Sequence, residues 1–117
     1  MSALPIPTLE LSNGYQIPQL GFGTYKISAE DCVDTVKYAL DLGIRHIDTA
    51  QMYHNEAEVG RAIEESGIPR EEIFLTTKLN NDKHLPEDAR RSFAQSLEDL
   101  RTDYVDLFLI HWPLPTL

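Results

Sequence analysis

IRHIDTAQMYHNEAEVGRAIEESG, residues 44–67, decides the fold. Its first part, IRHIDTA, is typical of a strand, and NEAEVGRAIEESG has the residue spacing of a helix that ends at Gly67. A second strand, IFLTTKL, follows at residues 73–79. A strand, a helix and another strand in this order predict a βαβ unit, in which the strands are parallel and the helix covers them.

The same alternation extends through the rest of the chain. A glycine-containing strand is predicted at 19–26 and a last strand at 104–112, and helices follow the first three strands. The strands begin 25 to 31 residues apart, which is the usual length of a βαβ unit. Ahead of them, two short segments that flank Ser12-Asn13-Gly14 predict a β-hairpin, because Asn-Gly favours the tight turn between paired strands.

Local signals mark the helix ends and the extent of the domain. Ser28 with Asp31 three residues later resembles a capping box, Gly43 ends that helix, and Pro86 opens the third helix. No helix follows the fourth strand, so we expect four parallel strands, three helices and two open sheet edges. Residues 1–117 are therefore predicted to form a single partial domain, half of a larger α/β structure.

The composition limits the classes of function. The 117 residues include 19 acidic and 10 basic side chains, for a net charge of -9, which argues against a nucleic-acid partner. The N-terminus has no signal-peptide pattern, and no apolar run reaches the length of about 20 residues that spans a membrane. Cys32 is the only cysteine and is expected on a helix face, which fits a reducing compartment and predicts a cytoplasmic protein. No His or Cys spacing indicates a metal site.

Three polar side chains end three of the predicted strands. Successive side chains of a strand point to opposite faces, so Asp48, Lys78 and His111 are expected on one face. They lie at the carboxyl edge of the sheet, which carries the active sites of α/β barrels. Taken singly, each has a common structural explanation: a turn or cap for the aspartate, a solvated lysine, and a hydrogen-bonded histidine. Their equivalent positions favour a functional cluster.

Tyr53 follows Asp48 by five residues and extends this cluster chemically. A phenol is a weak acid at neutral pH, and a lysine ammonium beside it favours the phenolate, so the phenol gives up its proton more readily. A carboxylate at Asp48 holds that lysine charged and in place. With His111 orienting a carbonyl oxygen, the pattern predicts a tyrosine general acid that acts while hydride arrives from elsewhere.

Other polar residues in these segments receive no catalytic role from the sequence. His46 is expected to fill a layer of the sheet interior, and His54 and His84 lie in predicted loops. Asn55 and Glu56 are expected only to open the following helix, where an acidic side chain suits the positive end of the helix dipole.

Four segments resemble, in order and spacing, the signature segments of the aldo-keto reductase family. They are LGFGTYK at 20–26, RHIDTAQMYHNEAEVGRAI at 45–63, FLTTKL at 74–79 and DLFLIHWP at 106–113. The resemblance implies the N-terminal half of a (β/α)8 TIM barrel whose base is plugged by the hairpin. It also implies an oxidoreductase that uses NADPH to reduce aldehydes and ketones to alcohols. The implied catalytic residues are Asp48, Tyr53, Lys78 and His111.

The resemblance further implies where cofactor and substrate lie. The family binds NADPH in an extended pose without a Rossmann glycine motif, and GFGTYK does not match that motif. The implied contacts with the nicotinamide end are Gly23, Thr24, Tyr25 and Asp48, and those with substrate are Tyr25, His111 and Trp112. The family's phosphate-binding positions belong to the second half of the barrel, so we expect these residues alone to bind NADPH weakly.

Two alternatives stay open beside the reductase: a truncated, inactive half-barrel, and a non-enzymatic regulatory or binding protein on the same scaffold. TTKLNNDKH at 76–84 is most similar to bacterial members that reduce small diketo acids, sugars and other carbonyl compounds. The expected partner is therefore a small-molecule carbonyl substrate. The open edges of the first and last strands also predict self-association, as a dimer of half-barrels that closes about eight strands.

Overall fold

The computed structural model describes residues 5–114. The predicted N-terminal hairpin is confirmed: β1 (Thr8–Glu10) pairs antiparallel with β2 (Gln16–Pro18). Gly14 lies in the turn between them with a φ of 88°, in the left-handed region that glycine adopts without strain.

Four parallel strands and three helices follow, as the alternation predicts. In chain order they are β3 (Phe22–Gly23), α1 (Ala29–Asp41), β4 (His46–Asp48), α2 (Glu56–Ser66), β5 (Phe74–Leu79), α3 (Pro86–Leu100) and β6 (Leu107–Ile110). The strands lie in the order β3-β4-β5-β6, so each neighbours the next along the chain. Short 3-10 turns at Gln51–Tyr53 and Arg70–Glu72 precede α2 and β5. The predicted cap of α1 is also present, since the Ser28 side chain accepts from the backbone N–H of Asp31 at 3.3 Å.

Three of the four parallel strands are clearly shorter than predicted. The second was expected over 44–50 and spans His46–Asp48. The first and last differ more. The first was expected over 19–26, but Lys26 has a φ of 62°, which an extended strand does not allow. The last was expected over 104–112. The carbonyl oxygen of Tyr104 instead accepts a hydrogen bond from Nη2 of Arg70 at 2.8 Å, so it does not join the sheet. The backbone conformation at Lys26 therefore limits the first strand, and the hydrogen bond to Arg70 limits the start of the last one.

The three helices cover one face of the sheet and enclose an apolar core. Its buried members are Cys32, Val36, Leu40, Ile47, Val59, Ala62, Ile63, Ile73, Leu75 and Leu100. Burial, with a smaller contribution from the negative charge of Glu58, raises the pKa of the Cys32 thiol to about 11. The thiol is therefore protonated at neutral pH and packs as a small apolar group, in agreement with its predicted position on a helix face.

Helices α2 and α3 approach each other closely at Gly60. A Cβ built on Gly60 would lie 2.6 Å from the carbonyl oxygen of Asp99 and 2.7 Å from the Cα of Leu100. Only glycine leaves room for α3 at this distance. The close approach sets the position of Ser96 on α3, whose hydroxyl contacts the segment before α2.

The opposite face of the sheet carries the polar residues at the strand ends. Asp48 pairs with Thr76, which places Lys78 further along β5 on the same face. Lys78 in turn pairs with Leu109, two residues before His111. The predicted alignment of these side chains is thus present in the register of the sheet.

Within residues 5–114, no helix combines the length and apolar character needed to cross a membrane. The same residues contain no group of three or more His, Cys, Asp or Glu side chains that could hold a metal ion.

Candidate active site

Lys78 is the centre of the polar cluster at the carboxyl edge of the sheet. Its ammonium donates hydrogen bonds to the Asp48 carboxylate, to the backbone carbonyl oxygen of Thr49 at 3.0 Å, and to the Tyr53 hydroxyl oxygen at 3.3 Å. An ammonium has three protons, so these three acceptors use all of them. The side chain of Lys78 is therefore held in one orientation, with the acid on one side and the phenol on the other.

Tyr53 stands on the 3-10 turn that follows β4, and Gln51 fixes this turn in place. Oε1 of Gln51 accepts from the backbone N–H of Asn80 at 2.8 Å, and its Nε2 donates to Oγ of Ser96 at 3.1 Å. His54 ends the turn with a φ of 55°. The turn is thus joined both to the end of β5 and to α3, so the phenol lies on a well-supported segment.

Aromatic rings surround the Tyr53 phenol. The Tyr25 ring lies 5.1 Å away between centroids with a tilt of 47°, and the His111 ring lies 5.7 Å away nearly edge-on. Nζ of Lys78 is 5.0 Å from the centroid of the Tyr53 ring. These contacts bring side chains from the ends of all four parallel strands to one place.

His111 is uncharged at neutral pH. Burial lowers the pKa of its imidazole, and the positive charge of Lys78 lowers it further, while the negative charge of Asp48 partly offsets both. Its backbone N–H donates to the carbonyl oxygen of Leu79 at 3.2 Å, which anchors the residue at the end of β6. Its Nδ1 is buried and has no hydrogen-bond partner in the described part of the chain. A neutral imidazole offers one N–H donor and one acceptor.

The remaining predicted site residues differ in what they present at this edge. Gly23 is exposed and pairs with Asp48 in the sheet register. The side chains of Tyr25 and Trp112 are open to solvent, with exposed fractions of 63% and 55%. Thr24 is instead fully buried, and its hydroxyl donates to Thr49 at 2.9 Å. A cofactor at this edge can therefore meet the backbone of residue 24, while the hydroxyl belongs to the interior.

Glu56 does more than the sequence predicts. It does open α2, but its carboxylate is buried and accepts hydrogen bonds from Thr77 at 2.7 Å and from Ser96 at 3.2 Å. Burial raises the pKa of this carboxyl, and the two hydrogen bonds partly oppose the shift. The expectation that Glu56 only opens the helix is wrong, because α3 packs over the first turn of α2 and buries the carboxylate. Polar Thr77 on the helix-covered face of β5 was the available signal.

Asn55 also departs from its expected role. It precedes α2 as its N-cap residue, yet its side chain makes no capping hydrogen bond and is buried. His46, by contrast, occupies the layer position expected of it, with Nε2 3.0 Å from Oγ1 of Thr76 and its ring edge-on to Phe74. Burial is the main cause that lowers the pKa of His46, so this histidine is a neutral interior group.

A parallel sheet covered by helices, with charged and aromatic side chains gathered at its carboxyl edge, is the arrangement found in α/β barrels. Sequence comparison identifies the family within this class. Residues 19–117 match the model of the Aldo/keto reductase family. The chain belongs to the aldo-keto reductase family, as its four signature segments predict.

Individual relatives agree with this assignment. The chain is 53% identical over 104 residues to the methylglyoxal reductase DkgB of Escherichia coli O157:H7, over 85% of this chain and 37% of that protein. A solved aldo/keto reductase from Brucella melitensis matches with a TM-score of 0.92 and 53% identity, over 95% of this chain and 42% of that one. A Bombyx mori aldo-keto reductase solved in complex with NADP matches with a TM-score of 0.89 and 39% identity, over 94% of this chain and 39% of that one.

The chain is much shorter than the proteins it matches. The chain covers 33% of the length of an aldo-keto reductase relative from Xenopus tropicalis and 41% of one from Mycolicibacterium paratuberculosis. The chain thus spans about two fifths or less of its relatives, and it contains the hairpin, four parallel strands and three helices of their TIM-barrel fold.

Proposed function

We propose that this chain carries the proton-donating site of an NADPH-dependent reductase that converts aldehydes and ketones to alcohols. The observation that supports this most is the set of three hydrogen bonds from Lys78 to Asp48, the Thr49 carbonyl and Tyr53. A lysine held in this way next to a phenol is an arrangement suited to general-acid catalysis.

Tyr53 is the proton donor in this proposal. Its hydroxyl oxygen accepts from Lys78, so the phenolic proton is free to point towards a substrate oxygen. When that proton leaves for the carbonyl oxygen, the phenolate stays beside a positive charge and is stabilised by it. Asp48 keeps the ammonium in position throughout, since it is the charged one of the three acceptors.

His111 orients the carbonyl group. Its ring lies edge-on to Tyr53, and its lowered pKa keeps the imidazole neutral. A neutral imidazole can donate a hydrogen bond to the same oxygen that Tyr53 protonates without competing as a stronger acid. Exposed Trp112 and Tyr25 offer apolar surface on which the rest of a small substrate can rest.

The residues at this edge fit the nicotinamide end of NADPH. Apart from the neighbours of Gly23 along the chain, no heavy atom of residues 5–114 lies within 4 Å of the position that a Cβ would take there, so this space is open. The exposed Tyr25 ring offers a flat face next to Tyr53. Gly23, Tyr25 and the backbone of Thr24, with Asp48 beside them in the register, would hold that end. When bound, NADPH supplies the hydride that adds to the carbonyl carbon.

The substrate class we propose is a small carbonyl compound. The E. coli relative is named as a methylglyoxal reductase, and a matched solved structure is described as a putative 2,5-diketo-D-gluconic acid reductase B. The substrates in both names are small, polar compounds with two carbonyl groups. Methylglyoxal is therefore the first substrate to assay. A cytoplasmic location stays a prediction from cysteine usage.

We propose that binding of the cofactor's phosphates depends on contacts outside these 117 residues. The chain spans only 41% of the M. paratuberculosis relative, so contacts made by the rest of such a protein are not supplied here. We therefore expect the chain alone to bind NADPH weakly and to reduce methylglyoxal immeasurably slowly. Fluorescence titration with NADPH measures the first, and NADPH absorbance with methylglyoxal measures the second.

A chimera tests the site itself. Residues 19–112 of this chain would replace the matching segment of methylglyoxal reductase DkgB, whose identity to this chain makes packing compatible. We expect the chimera to reduce methylglyoxal and Tyr53→Phe to slow it by about 100-fold or more, because a positioned general acid contributes about that much. Tyr38→Phe, an exposed tyrosine on α1, is the matched control and should keep the activity.

The outcomes separate the alternatives. Full activity of Tyr53→Phe would contradict the assigned proton donor. A folded chimera that binds NADPH but reduces no carbonyl compound would favour the non-enzymatic binding protein on the same scaffold. Micromolar NADPH affinity of the chain alone would contradict the proposal that the phosphates need contacts outside it.

A further inference from the structure

We propose that Asn55 is a positioning residue that holds together the two segments carrying Tyr25 and Tyr53. These segments are residues 24–27, after β3, and residues 49–53, after β4. The inference rests on the proposed function for its relevance to catalysis, but its structural content concerns only the relative placement of the two rings.

The Asn55 side chain makes three hydrogen bonds to residues of these two segments. Nδ2 donates to the backbone carbonyl oxygens of Thr24 at 2.9 Å and Ile27 at 3.1 Å. Oδ1 accepts from Oγ1 of Thr49 at 3.1 Å. Oγ1 of Thr24 lies 3.3 Å from Oδ1, but its single proton is donated to Oγ1 of Thr49 at 2.9 Å. Because two carbonyl oxygens can only accept, the amide nitrogen must face them, so the orientation of the side chain is unambiguous.

These bonds bridge the two segments directly. Thr24 and Ile27 flank Tyr25 and Lys26, so the amide group spans the turn on which Tyr25 stands. Thr49 begins the other segment, and its backbone carbonyl oxygen is one of the three acceptors of Lys78. One side chain thus connects the Tyr25 turn to a residue that also contacts the lysine beside Tyr53.

Asn55 stands at the N-cap of α2, where an asparagine side chain normally caps the helix. Asparagine before a helix usually caps it by accepting from a backbone N–H of the first turn. Here Asn55 has a φ of -136° and makes no capping hydrogen bond, while its side chain turns back to residues about 30 positions earlier. Helix α2 therefore has no side-chain cap from Asn55, and the Asn55 side chain connects the two loops instead.

The hydrogen bonds of Asn55 matter for the site because they fix how the Tyr25 and Tyr53 rings face each other. Their rings lie 5.1 Å apart between centroids, but no hydrogen bond joins these two side chains within residues 5–114. Ring packing alone does not fix a loop at one position, whereas the hydrogen bonds of the Asn55 side chain do. Without Asn55 we expect the Tyr25 turn to move away from Tyr53, which changes the space next to the phenol where nicotinamide and substrate are proposed to bind.

Asn55→Asp is the sharpest test because it keeps the shape and removes the donors. A carboxylate oxygen in place of Nδ2 would face the carbonyl oxygens of Thr24 and Ile27, which repel it and raise the pKa of the new carboxyl. A protonated carboxyl can donate one hydrogen bond and restore part of the bridge. Because the folded-state pKa is raised, the variant should lose stability relative to the wild type as pH rises from about 4 to about 7.

The readout is the nuclear Overhauser effect between the ring protons of Tyr25 and Tyr53 in the full 117-residue chain, assigned with Tyr53→Phe. In the wild type we expect it at both about pH 4 and about pH 7. In Asn55→Asp we expect it at the lower pH and its loss at the higher one, reversibly in one sample. Asn80→Asp is the matched control and should keep the effect at both pH values, because Asn80 is a loop asparagine at the same edge whose side-chain oxygen accepts from the backbone N–H of Asn81.

A second variant decides the matter if Asn55→Asp does not fold at neutral pH. Thr49→Val removes the hydroxyl that bonds Oδ1 of Asn55 but keeps the carbonyl group that binds Lys78. We expect it to weaken the Tyr25 to Tyr53 effect at every pH. An unchanged effect in Thr49→Val, or in a folded Asn55→Asp at neutral pH, overturns the proposal.

The measurement needs neither cofactor nor turnover, so it is independent of the proposed reductase function. If the chimera with DkgB proves inactive while the effect is lost in Asn55→Asp, the reductase proposal fails and the positioning role stands. If the chimera is active and the effect survives in Asn55→Asp, the positioning role fails and the reductase proposal stands.

Discussion

Breaking the ion pair between Asp48 and Lys78 from its two sides is expected to have unequal effects on stability. The side chain of Lys78 is 14% exposed, whereas that of Asp48 is 39% exposed. In Asp48→Asn a largely buried ammonium loses its only countercharge among its three acceptors. In Lys78→Met the remaining carboxylate is reached by water, which replaces much of the lost interaction.

The magnitudes follow from these exposures. Removing one partner of a fully buried pair costs about 3 to 5 kcal/mol. Lys78 keeps the Thr49 and Tyr53 acceptors in Asp48→Asn, so we expect a loss of about 2 to 4 kcal/mol in the free energy of unfolding. Lys78→Met removes a pair whose acid is more than a third exposed and also relieves the desolvation of the ammonium, so we expect a loss of about 1 kcal/mol or less.

Urea unfolding of the 117-residue chain, followed by circular dichroism, measures both changes from the midpoint and slope. The double variant Asp48→Asn with Lys78→Met should recover most of the stability lost in Asp48→Asn. Lys83→Met, from the exposed pair with Asp82, is the control and should change the free energy of unfolding by less than about 0.5 kcal/mol. A Lys78→Met variant that loses as much stability as Asp48→Asn would refute the reasoning.

Two further predictions concern the rest of the chain. Burial raises the pKa of Glu56 above its ordinary value of 4.5, so its contribution to stability is present below that pH and lost as pH rises. Glu56→Gln keeps the shape and should remove this part of the pH dependence in urea unfolding; an unchanged pH dependence would contradict it. The unpaired edge of β6, beside Ile110 with an exposed fraction of 64%, should drive self-association at high concentration. Light scattering should show dimers that Ile110→Lys weakens, and a monomeric wild type would count against it.

Much of the fold was predictable because its signals are local. Ser28 and Gly67 mark helix ends through capping and backbone preferences that act within a few residues. The parity of side chains along a strand placed Asp48 and Lys78 on one face, and the register agrees. The strands were less predictable in length, since the end of a strand depends on what its neighbours offer, as Tyr104 shows by bonding to Arg70.

For the candidate site, too, some features follow from the sequence and others only from the tertiary structure. The sequence by itself determined the alternation of strands and helices, the family and the four residues at the carboxyl edge, because spacing and residue type suffice for these. Only the tertiary structure decided that Thr24, Asn55 and Glu56 turn inward. Each has a partner that lies 21 to 40 residues away along the chain, and whether a polar side chain beside a helix or strand end faces water depends on how those distant segments pack.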